Sequence, residues 1–178
     1  MTLYGWNKTS REILGADYDA ASWTQRATAV LRDPVKFGLC FQFVWVNLVV
    51  TIPGIYVAIN LDTFRSERYE EVERAFNAGH WHVLVTLTAI VVLFLAIDYF
   101  GVSGNFRKAI GWLLLLGSII GFGFSAIYML RDPDMDKMLS FYLIDIGVSL
   151  IFAGIALFCL LLLVKVVLNV WNNWADNG

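Results

Sequence analysis

The chain has 178 residues, of which 58% are hydrophobic and 16% charged, with a formal net charge of -2. A soluble domain is typically about half apolar and about a quarter charged, so this is not the composition of an ordinary soluble protein. The slight negative charge also excludes the basic stripe that nucleic-acid binding requires.

Residues 1–36 mix polar and apolar side chains and form a segment of their own. Ser22 followed by Gln25 is the pattern of a capping box. Trp23, Ala27, Val30 and Leu31 then recur at helical spacing, with Arg26 and Arg32 off that stripe. A short helix carrying aromatic and basic residues beside an apolar run is expected to lie in the membrane interface. Asp33-Pro34 ends it. No secretory signal peptide is expected, because the first apolar run starts near Phe37 and is too long for one.

Residues 37–178 are expected to form one all-α transmembrane domain of four helices in an antiparallel bundle. The predicted spans are about 37–60, 80–100, 109–130 and 139–164. Each is long enough to cross a hydrocarbon core of about 30 Å. Pro53-Gly54 predicts a kink or break in the first span. Gln42 and Asn47 lie within that span and are expected to face other helices, where amides find partners. Residues 61–79 form the longest connection, and the charged run from Arg65 to Arg74 predicts a surface helix leading into the second span. Gly101-Val-Ser-Gly104 and Arg131-Asp-Pro-Asp134 read as tight turns. Gly117-xxx-Gly121 allows close helix contact in the third span. Trp171 and Trp174 in the tail suit headgroup anchors. Cys40 and Cys159 fall in apolar runs and read as buried or lipid-facing thiols.

Lysine and arginine set the expected orientation. Lys8, Arg11, Arg26, Arg32, Lys36, Arg107, Lys108 and Lys165 fall on one side; Arg65, Arg68, Arg74, Arg131 and Lys137 fall on the other. The excess places both termini in the cytoplasm and the 61–79 loop outside.

Both histidines, His80 and His82, stand where the charged run gives way to the second span. Two residues on a helix are separated by about 200° of rotation, so one regular helix cannot bring both rings to one ion. Met129, Met135 and Met138 fall at the same membrane side, as do Asp132, Asp134 and Asp136. Imidazole with thioether suits copper, especially Cu(I), whereas carboxylates suit harder ions. Asp145 is an intramembrane carboxylate and a candidate metal ligand, unless it and Lys165 simply mark the two interfaces. Asp98 closes the second span and reads as structural. No phosphate loop, Cys-pair metal motif or His-x-x-x-His element is present, so soluble-type catalysis by this chain alone is not expected.

Gly79-His80-Trp81-His82, opening an apolar helix, resembles the histidine-bearing helices of haem–copper oxidases and nitric-oxide reductases. The resemblance is confined to this short element. It implies at most one haem or metal ligand, at His80 or His82. It does not imply that family's oxygen or nitric-oxide chemistry, because four spans and 2 histidines are far fewer than its catalytic subunit carries. A b-type haem held by His80 or His82 with Met129 or Met138, a copper site, and packed interfacial histidines with no cofactor all remain open. The function expected is that of a small subunit of a membrane redox complex, exchanging electrons with a quinone or another subunit. The alternatives are a non-catalytic scaffold or assembly subunit and a copper-binding membrane protein. A transporter has less support, since the spans hold few polar residues.

Overall fold

The computed structural model describes residue 17 and residues 19–131 and 138–176. Every regular element in these residues is helical, and four helices are long and apolar enough to cross a membrane.

Helix α1, Trp23–Leu31, begins with the expected capping box. Ser22 N–H donates to Gln25 Oε1 at 2.7 Å, and Gln25 N–H donates to Ser22 Oγ at 3.3 Å. Ala29 is buried, whereas Trp23 and Leu31 are exposed. Two residues of the expected apolar stripe, Trp23 and Leu31, thus stand at the surface.

Asp33 then caps α2, Pro34–Val46, by accepting from Val35 N–H, with Pro34 at the first position, where its missing donor costs nothing. The anticipated irregularity near Pro53 is one turn of π-helix, Asn47–Thr51, before α3, Ile52–Ile59. Pro53 has no N–H to give to the carbonyl four residues earlier. The ladder loosens there, and Ile52 N–H reaches back five residues to Asn47. Gln42 does face another helix: its side chain and the Ser118 hydroxyl exchange hydrogen bonds of 2.9 and 3.1 Å. Asn47 does not. It is exposed, and its amide donates to Phe43 O of its own helix, a local bond that replaces a partner on another helix.

A short helix α4, Leu61–Phe64, and a 3₁₀ turn, Glu67–Tyr69, lead into α5, Glu70–Tyr99. Helix α5 is continuous, so the predicted surface helix and second span are one element. Its buried face is a single stripe: Val72, Phe76, Val83, Leu87, Ile90, Phe94 and Ile97, the i, i+4, i+7 spacing of a packed helix.

The Gly101–Gly104 turn closes α5 as a Schellman motif. Val102 N–H bonds Ile97 O and Gly101 N–H bonds Asp98 O, with Gly101 at φ 64°. Helix α6, Gly104–Met129, follows, and α7, Met138–Asp176, is the longest element. Helices α6 and α7 pack most closely at glycines. A Cβ on Gly117 would lie 2.7 Å from Gly147 O, and one on Gly147 would collide with Gly121 N and Cα.

At the Gly101–Gly104 end, ion pairs tie three helices together. Arg107 bonds both Asp33 and Asp98, and Lys36 pairs with Asp98. Asp98 is thus a structural residue. Lys165 Nζ donates to Phe100 O at 3.1 Å and satisfies a carbonyl at the end of α5.

Candidate functional site

The histidines sit one helical turn or more inside α5, not at its cap. Gly79 interrupts nothing. It continues the buried stripe between Phe76 and Val83, and a Cβ there would stand 2.6 Å from Met129 Sδ. The cost of a helix-interior glycine, about 1 kcal/mol against alanine, accompanies close packing of the methionine. Met129 is 1% exposed, and its sulfur packs against Gly79 in the core.

His80 turns towards α3. A Cβ on Gly54 would lie 3.1 Å from His80 Cε1, so the residue after Pro53 makes room for the ring. Phe76 lies beside it at 5.1 Å and Trp81 meets it edge-on at 6.4 Å. His80 Nδ1 is buried and makes no hydrogen bond. Buried polar atoms are nearly always paired, so this nitrogen is exceptional.

His82 points elsewhere, as the rotation along the helix requires. It is exposed, and its Nδ1 lies 2.6 Å from Ala78 O. A carbonyl can only accept, so Nδ1 carries the proton. In neutral imidazole the lone pair is then on Nε2, directed away from the helix backbone. This backbone bond to one ring nitrogen is the arrangement that orients metal-ligating histidines. Trp81, 66% exposed, stands beside it.

Arg131, which the sequence places only in a turn, is a buried cation at the same end. Its guanidinium lies 3.8 Å from the Tyr128 ring centre, donates to Tyr128 O at 2.8 Å, and reaches Glu71 Oε1 at 3.2 Å. Its Nε is buried without a partner. Sequence offered no signal for this pairing, because Glu71 and Arg131 are brought together only by the packing of α5 and α6.

The remaining candidates do not converge. Met138 and Asp145 are exposed on α7. Asp145 and Lys165 are twenty residues apart, about 30 Å of helix, as interface residues at opposite membrane faces would be. Met135, Asp132, Asp134 and Asp136 lie outside the described residues. Among the described residues no three His, Cys, Asp or Glu side chains form a group that could hold a metal ion. His80, His82 and Asp145 are therefore not one metal centre within this chain. The arrangement can supply one ligand nitrogen, His82 Nε2, to something outside the bundle.

No family model, curated protein or solved structure matches the chain.

Proposed function

We propose that the chain is a small integral membrane subunit of a redox-type membrane complex, lending His82 to a b-type haem or copper ion completed by another subunit. The observation that carries this reading is the Nδ1 bond of His82 to Ala78 O at 2.6 Å on an exposed ring, which leaves Nε2 as an outward lone pair. The second ligand comes from elsewhere, since Met129 is locked in the core and His80 faces inward. A quinone or a neighbouring subunit exchanges electrons with such a centre.

The four apolar helices cross the bilayer as an antiparallel bundle, with α1 in the interface. The level of Asp98, Arg107 and Lys165 marks one boundary. About 30 Å away, twenty residues back along α5 and α7, lie Ala78 and Asp145. His82 is then just inside the opposite boundary. The excess of Lys and Arg puts the charged Gly101–Gly104 end and both termini in the cytoplasm. A reporter fused after Gly178 is expected to be cytoplasmic, and a tag in the 61–79 loop to be accessible from outside. Protection of that tag in intact cells reverses the orientation.

A second reading is a non-catalytic scaffold or assembly subunit. It is favoured by the packing of His80 against Gly54 and Phe76 and of Met129 against Gly79, which gives these residues a place in the core. A copper-binding membrane protein is the third reading; Met129, one of its candidate thioethers, packs against Gly79. The deciding experiment is a reduced-minus-oxidised absorption spectrum, with metal analysis, on the complex purified in mild detergent. A haem band or stoichiometric copper supports the redox reading. A colourless, metal-free complex leaves the scaffold.

A further inference from the structure

A groove of about 260 Å³ lies at the Gly101–Gly104 end, between that turn and the distal part of α7. Phe100, Val102 and Phe106 form one apolar wall, and Leu161, Leu162 and Leu168 form the other. Lys165 is the cation in this lining, and Ser103 also lines the groove, its side chain not capping α6. Arg107 and Lys36 at this end are matched by Asp33 and Asp98. Lys165 is not matched: its Nζ donates to a neutral carbonyl, Phe100 O, and it pairs with no carboxylate among the described residues.

We propose that this groove binds an acidic phospholipid, its phosphate held by Lys165 and Ser103 and an acyl chain laid along Leu161, Leu162 and Phe106. The two halves of the argument select the same ligand. An unmatched ammonium in an apolar setting calls for an anion, and the aliphatic walls suit hydrocarbon and give a free phosphate nothing to contact. The position fits as well, since the proposed cytoplasmic face meets the leaflet rich in anionic lipid. The inference rests on the membrane reading of the chain.

The test uses the full chain in detergent with an equal mixture of dioleoyl phosphatidylglycerol and dioleoyl phosphatidylcholine. Lipid retained per chain is counted by native mass spectrometry. One interfacial lysine is expected to enrich the anionic lipid about fivefold. Lys165→Gln should abolish the enrichment, Lys165→Arg should retain it, and Lys108→Gln, outside the groove lining, should leave most of it. Equal retention of both lipids by the unaltered chain overturns the proposal. So does unchanged enrichment in Lys165→Gln, and so does equal loss from Lys108→Gln, which makes the effect a diffuse surface charge. A chain recovered soluble without detergent fails the membrane reading before any lipid is counted.

Discussion

Replacing Gly147 by alanine should keep α6 and α7 from closing. The added methyl would fall on Gly121 N and Cα and within 2.8 Å of Gly117 O. All of these are backbone atoms, which cannot swing aside as the end of a side chain can. The helices must separate, and the contacts of Ile151 and Leu114 beside the crossing loosen with them. Overpacking costs typically 1–3 kcal/mol, and a clash with backbone belongs at the upper end of that range. The expected result is a clearly lowered thermal midpoint in detergent and a broadened size-exclusion peak. Gly121→Ala makes the control, since a Cβ there meets nothing closer than 3.4 Å and should be nearly neutral. A Gly147→Ala protein that elutes and melts like the parent would show that the two helices do not cross at this point.

That asymmetry shows where sequence reading stops. Gly117 and Gly121 share a helix and a recognisable spacing, so they are conspicuous. Gly147 lies on another helix, seven residues from the next glycine, Gly154, and only the register between the two helices reveals it as the tightest contact. The apolar runs, the Ser22–Gln25 box and the Gly101–Gly104 turn were legible because each depends on neighbours in the chain. The continuity of α5 was partly legible: Val72, Phe76, Gly79 and Val83 already follow the stripe that Leu87, Ile90 and Phe94 continue. The expectation of polar partners across helices held for Gln42 and failed for Asn47, because an amide can also bond its own helix, and residue type does not say which. At the candidate site, the divergence of His80 and His82 followed from helical rotation alone. Their surroundings did not. That Gly54 faces His80, that Met129 fills the space at Gly79 and that Arg131 reaches Glu71 are facts of packing between distant segments.

The histidine variants should divide sharply in the assembled complex. His82→Ala is expected to abolish the haem or copper signal, because it removes the outward nitrogen whose partner on the ring is already committed to Ala78 O. Loss of the reduced-minus-oxidised band with normal subunit assembly is the predicted readout. His80→Ala is expected to retain the signal. Its ring is packed between Gly54 and Phe76 and its buried Nδ1 holds no partner, so truncation leaves a cavity and breaks no hydrogen bond. A lower thermal midpoint with an intact spectrum is therefore the outcome for that variant. The opposite pattern would move the ligand inward, to the side of α5 that meets α3, and would make the orphaned Nδ1 of His80 the functional nitrogen. Complete loss from both would require one ion to be held by both rings. Side chains about 200° apart on a regular helix cannot do that unless α5 opens at Gly79, where Met129 is now packed. Two variants that assemble normally in a colourless, metal-free complex would leave the histidines as packing and interface residues of a scaffold.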